Sequence, residues 1–113
     1  MEIADKINLF KTLNGHNTLR ADDFYDVLEK CDSLKTNYYD YMTTTPINCD
    51  EELLRLPTAD YDLCCALITM LLREDHFSNG SFERRLHCGQ VKPVVERIIY
   101  LISETTQWKI VKK

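Results

Sequence analysis

Apolar residues recur along this chain at three- and four-residue steps, the spacing that lines up one face of a helix. Ile3, Ile7, Phe10 and Leu13 make the first stripe, and Asn14-Gly15 ends it. Thr18 can cap a second helix, whose first turn carries Asp22 and Asp23 against the positive end of the helix dipole. Its apolar positions are Phe24, Val27, Leu28, Cys31, Leu34, Tyr38, Tyr41 and Met42, spaced by roughly 3.5, which predicts one long helix packed lengthwise on another. Thr43-Thr44-Thr45-Pro46 stops it, because β-branched residues and the residue before proline prefer extended backbone. Asn48 and Glu51 stand in a capping-box arrangement ahead of a short helix with Leu53, Leu54 and Leu56, closed by Pro57. Thr58 then caps a helix expected over about 59–73, apolar on every side from Leu63 to Leu72 and therefore central.

Arg73 falls in the last turn of that helix, where a cation faces exposed carbonyls. Beyond it, Ser78 is read as an N-cap and Asn79-Gly80 as a turn, followed by a short helix to Cys88. Gly89 suits a left-handed helix end, and Pro93 suits the first turn of the next helix. There Val91, Val94, Val95, Ile98, Leu101 and Ile102 form a core-facing stripe, widened by Ile99. The two helices make a helix-turn-helix-like pair. After Ser103 the periodicity fades, and Trp108, Ile110 and Val111 alternate with Lys109 and Lys112, which predicts a short extended tail over 107–113. The expected fold is all-α: residues 1–113 as one domain, a compact bundle of about five helices around the central one.

Arg73, Asp75-His76-Phe77, Gly80, Gly89 and Arg97-Ile98 together resemble the C-terminal signature of a small bacterial family of unknown function. The resemblance covers about residues 59–99, with His76 at a position that takes His or Arg. It implies a structural role for these residues and no particular activity.

A length of 113 residues is enough for an independent core. The start lacks a basic region followed by an apolar run, and the Leu63–Leu72 stretch is far short of the ~20 residues of a membrane span, so a cytoplasmic protein without membrane contact is expected. Five cysteines, Cys31, Cys49, Cys64, Cys65 and Cys88, read as small buried apolar residues of a reducing compartment. The net charge of -4 is divided unevenly. Residues 1–72 carry 6 Lys+Arg against 13 Asp+Glu, net -7, and residues 73–113 carry 8 against 5, net +3.

Candidate chemistry is sparse. Asp75, His76, Ser78 and Ser81 supply the residue types of a hydrolytic triad, but adjacent Asp-His does not normally let the acid orient the imidazole, and there is no Gly-x-Ser-x-Gly elbow. Asp75 and His76 are expected to cap helix ends, with Phe77 anchoring the turn in the core. His76, His87, Cys88 and Cys64-Cys65 lack metal-ligand spacing, and neither a metal nor a cofactor is expected. The leading expectation is a non-enzymatic protein-binding module of bacterial or mobile-element origin, of the kind that masks a basic surface of its partner. Its contact would fall on Asp22, Asp23, Asp26, Tyr38, Tyr39, Asp40 and Tyr41, because three tyrosines in four residues cannot share one face and exposed Tyr suits a protein contact. The alternative is a nucleic-acid binder using Arg84, Arg85 and Lys92, with the helix start at Ser78–Ser81 offering N–H groups to phosphate. A third, weaker option is an enzyme using His76. The bland reading of the basic half is that Arg73, Arg84 and Arg97 pair with acids of the N-terminal half.

Overall fold

A computed structural model describes residues 2–14 and 18–112, with side chains as far as Glu104. It is all-α, with six α-helices and no strand among the described residues. They are α1 (Ile3–Lys11), α2 (Ala21–Lys30), α3 (Cys49–Leu53), α4 (Tyr61–Phe77), α5 (Ser81–His87) and α6 (Lys92–Lys112), with two 3-10 turns, Tyr38–Tyr41 and Leu56–Thr58, in the connections.

The central helix is α4. Every residue from Cys64 to Leu72 is buried, so an apolar run on all sides is matched by cover on all sides. That cover comes from α2, α3, α5, α6 and the Tyr38–Tyr41 turn, while α1 packs on α6. The stripes read from the sequence face this core: Phe10 and Leu13 of the first, and Val91, Val94, Val95, Ile98 and Ile102 of the last. The cap of α4 is Asp60, whose carboxylate accepts from the Leu63 N–H at 2.8 Å, rather than Thr58, which sits in the preceding 3-10 turn. Asn48 caps α3 as expected, accepting from the Glu51 N–H at 3.1 Å.

Four expected features differ. The long second helix is broken: α2 begins after Arg20 and stops at Lys30, where the Ser33 N–H donates to the Leu28 carbonyl at 2.8 Å and Asp32 takes a φ of 52°. This is the six-to-one bond of a Schellman end, with aspartate holding the left-handed position that usually falls to glycine. The chain then crosses α4, stitched by the Lys35 N–H to Thr69 Oγ1 at 3.2 Å and by the Lys35–Asp62 ion pair at 2.9 Å. Second, α4 overruns Arg73 by a full turn to Phe77, so Ser78 ends α4 instead of opening α5. Gly80, at φ 87°, precedes α5. Third, α6 runs to Lys112 where an extended tail is expected over 107–113, and the side chains of Trp108, Ile110 and Val111 lie outside the described ones. Fourth, Cys88 is exposed and Cys49 half-buried, whereas Cys31, Cys64 and Cys65 are buried. Gly15 also lies outside the described residues.

The α4–α5 corner is held by Asp75. Its carboxylate accepts from the Gly80 N–H at 3.0 Å and the Phe82 N–H at 3.1 Å, so the last turn of one helix caps the start of the next. Asp75→Ala is expected to lower stability by about 1–2 kcal/mol, the usual loss on removing a cap, read from a urea or thermal melt.

Candidate partner-binding site

Where α4 ends, the surface becomes aromatic. Phe77 is 90% exposed, the reverse of the core anchor expected of it. It stands four residues beyond half-buried Arg73 on a helix that has already passed the core, so its ring projects into solvent. Tyr39 is 60% exposed and Ile47 is exposed as well. Isolated exposed apolar residues are ordinary, but these are contiguous across two shallow clefts. One, of ≈ 470 Å³, is lined by Thr36, Tyr38, Tyr39, Arg73, His76 and Phe77. The other, of ≈ 420 Å³, shares Tyr38 and Phe77 and adds Pro46, Ile47, Cys49, Met70, Glu74 and Ser78. Leu54 and Tyr100 are exposed elsewhere and line neither cleft.

Each wall is fixed by a local device. The Tyr38–Tyr41 turn packs on α4, with the Tyr38 and Tyr39 rings edge-to-face at 5.8 Å. The loop carrying Pro46 and Ile47 is clasped by Glu52, a fully buried carboxylate of α3. Glu52 accepts from the Thr43 N–H at 2.9 Å, the Thr44 N–H at 2.8 Å, the Thr44 hydroxyl and Arg55 Nη1 at 2.9 Å. Arg55 Nη1 also donates to the Tyr41 carbonyl at 2.7 Å, which joins this clasp to the tyrosine turn. The Tyr25 hydroxyl and His76 Nε2 are 3.0 Å apart, a hydrogen bond whose donor depends on the imidazole tautomer and which ties α2 to the end of α4. Burial raises the Tyr25 hydroxyl above its ordinary value, against the pull of Arg73, so it is neutral at physiological pH. In the second cleft, burial and the neighbouring Glu74 carboxylate push the Cys49 thiol up to about 11. It is a neutral wall and not a thiolate nucleophile. Burial likewise raises Cys64 to about 11 and Cys65 to about 12.

The expected contact residues are divided between two elements. Asp22, Asp23 and Asp26 lie on α2; Tyr38, Tyr39, Asp40 and Tyr41 form the separate 3-10 turn. Asp22, Asp23, Asp26 and Asp40 are exposed, but Asp23 accepts from the Arg20 N–H at 2.8 Å and Asp26 pairs with Lys30 at 2.9 Å. Neither Asp22 nor Asp40 lines a cleft, although Asp40 is the chain neighbour of Tyr39 in the 3-10 turn. Tyr38 and Tyr41 are half-buried.

The basic trio is dispersed. Arg84 and Lys92 are exposed, whereas Arg85 is an internal strut. Its Nε and Nη2 grip both oxygens of Glu74 at 2.7 and 2.9 Å, and Nη1 reaches Asp50 at 2.8 Å and Gln90 at 3.1 Å. Such a bidentate, neutralised guanidinium is a poor phosphate contact. The start of α5 is also taken: of the Ser78–Ser81 stretch expected to face a phosphate, the Gly80 N–H is held by Asp75, which holds the Phe82 N–H beyond it as well. Arg85, and not Arg73, Arg84 or Arg97, therefore reaches an acid of the N-terminal half: Arg97 holds the Ala59 carbonyl at 3.0 and 3.1 Å, and Arg84 reaches Ser78 Oγ at 3.2 Å.

The triad residues are not assembled either. Asp75 is turned to the backbone, His76 to Tyr25, and Ser81 is buried. No group of three or more His, Cys, Asp or Glu among the described residues is disposed to hold a metal, and no helix there is long and apolar enough to cross a membrane. The signals that sequence reasoning missed were Phe77, set apart from the apolar run by Glu74-Asp75-His76, and Ile47, isolated in a connector.

No curated protein and no solved structure matches the chain. A family model does, over residues 13–104, a wider span than the 59–99 of the Arg73-to-Arg97 signature, running from before α2 into the body of α6. On that match the chain belongs to the Family of unknown function (DUF6508).

Proposed function

We propose that the protein is a non-enzymatic protein-binding module that docks a partner on the aromatic patch at the end of α4, with Phe77 and Tyr39 as anchors. The observation that carries the reading is the 90% exposure of Phe77 between two clefts. A phenylalanine left in water forgoes about 1.5–3 kcal/mol of burial energy, which is recovered when a partner covers it. Exposed Asp40, the chain neighbour of Tyr39, puts an acid next to the patch, which favours a basic partner surface and its masking. This keeps the acidic and tyrosine-rich contact expected from the sequence, but moves its centre from α2 to Phe77.

The test is quantitative affinity capture with the whole chain as bait. A genuine partner is expected to drop at least tenfold with Phe77→Ala/Tyr39→Ala, a change of about 1.4 kcal/mol or more, and to persist with Arg84→Glu/Lys92→Glu. Binding retained by the aromatic variant and lost by the charge variant would reverse the assignment in favour of nucleic acid or an acidic partner.

A further inference from the structure

Arg73 separates the two clefts in character. Six Lys or Arg side chains are half-buried among the described residues: Lys6, Lys35, Arg55, Arg73, Arg85 and Arg97. Five have partners within the chain. Lys6 lies over the Tyr61 ring, Lys35 meets Asp62, Arg55 meets Glu52, Arg85 meets Glu74 and Asp50, and Arg97 meets the Ala59 carbonyl. Arg73 makes no hydrogen bond or ion pair with any described residue. A cation partly withdrawn from water without an anion is costly, and the cost falls when an external anion supplies the pair. His76 lines the same cleft one turn on, its Nε2 occupied by Tyr25.

The adjoining cleft has no cation in its lining and offers Pro46 and Ile47 to an apolar group beside the nearly buried Met70, while its one carboxylate, Glu74, is neutralised by Arg85. The clefts adjoin at Tyr38 and Phe77, and Met70 and Arg73 stand one turn apart on α4, so a ligand that fills both carries its anion and its apolar group one helical turn, about 5 Å, apart. The last residue of a protein does this, since its carboxylate and its side chain leave one Cα. An internal acid does not, because its neighbours in an extended chain point to the opposite face.

We propose that the twin clefts astride Phe77 receive the C-terminus of the partner, with the terminal carboxylate on Arg73 and the last apolar side chain against Ile47 and Met70. This rests on the protein-binding reading and names the part of the partner that docks. Exposed Asp40, next to Tyr39 in the chain, then favours a basic residue upstream of that end.

The probe is a displayed library of nine-residue peptides with free C-termini. Selected binders are synthesised as free acid and as C-terminal amide, then titrated against the whole chain by fluorescence polarisation. Binders are expected to end in Leu, Ile, Val, Phe or Met, and the amide to bind about tenfold or more weaker, because a charge-assisted bond to Arg73 is lost. Arg73→Gln should weaken the acid and leave the amide unchanged, closing the gap, while Arg73→Lys keeps part of it. Phe77→Ala, a change at an exposed side chain that the fold does not use, should weaken both forms, with circular dichroism reporting an intact helix content for each variant. An amide that binds as well as its acid, or a gap that survives Arg73→Gln, overturns the C-terminus assignment and leaves Phe77-dependent protein binding standing. A library without binders sensitive to Phe77→Ala also overturns it, and the capture experiment then decides the broader reading separately.

Discussion

Replacing Phe82 with alanine is expected to lower the free energy of unfolding by about 3–5 kcal/mol, a large share of the roughly 5–15 kcal/mol of a natural domain. Phe82 is fully buried on α5, and its ring meets that of Phe24 on α2 edge-on, with centroids 4.8 Å apart. The alanine variant loses the transfer energy of the ring, leaves a cavity that helices on both sides cannot fill, and removes an aromatic pair worth about 0.5–1.5 kcal/mol beyond its area. The same pair of elements is also joined by the Glu83 carboxylate accepting from the Ala21 N–H at 2.9 Å, which the variant retains. Urea melts should show a lower midpoint with an unchanged slope, and Phe82→Leu should recover more than half of the loss. A loss below 1 kcal/mol for Phe82→Ala would mean that α5 contributes little to the core.

The helices that were legible are those whose stripe ends in ordinary punctuation. Cys64–Leu72 could only be a central helix, and Gly89 and Pro93 bracket the start of α6 as their backbone preferences require. The break after α2 was not legible, because Asp32 adopts the left-handed conformation without a glycine to announce it, and the apolar residues beyond it continue the helical spacing by coincidence. The overrun of α4 has a similar cause: Glu74, Asp75 and His76 are polar but not helix breakers, so only Ser78-Asn79-Gly80 ends the helix.

At the candidate site, Tyr38–Tyr41 stood out through composition alone, whereas Phe77 and Arg73 took their meaning from what they fail to touch. That is a property of the fold. Arg85 shows the converse: nothing in the spacing of Asp50, Glu74 and Arg85 predicts that one guanidinium gathers both carboxylates and ties α3, α4 and α5 together. Burial and exposure at the ends of helices are set by where the neighbouring elements stop, and periodicity does not encode that.

Acid is expected to unfold the protein largely through Glu52, and Glu52→Gln is expected to remove most of that sensitivity. Burial alone would raise this carboxyl, but the hydrogen bonds from Thr44 and Arg55, and from the Thr43 and Thr44 N–H groups, outweigh it and hold the group down at about 2 against an ordinary value of 4.5. A folded-state value below the unfolded one means that the stabilisation is complete above pH 4.5 and is lost as the pH falls from there through about 2. The difference corresponds to about 3 kcal/mol. Asp50 and Glu74 are held down by Arg85 and lose stability in the same direction, so some acid sensitivity remains in the variant. Glu52→Gln should be less stable than the wild type at pH 7 by about 2–4 kcal/mol, because an amide leaves Arg55 without its anion and turns a donor towards the threonine loop. The gap between the two proteins should narrow to a small part of its pH 7 size by pH 2.5 and close only below about 2, where Glu52 is protonated in the folded state as well. Urea melts at pH 7, 5, 4 and 2.5 read the convergence directly, and parallel curves for the two proteins would remove Glu52 as the acid-sensitive clasp. Because the same carboxylate holds the loop of Ile47 and, through Arg55, the Tyr41 carbonyl, peptide binding at the twin clefts should weaken in Glu52→Gln while the variant is still folded.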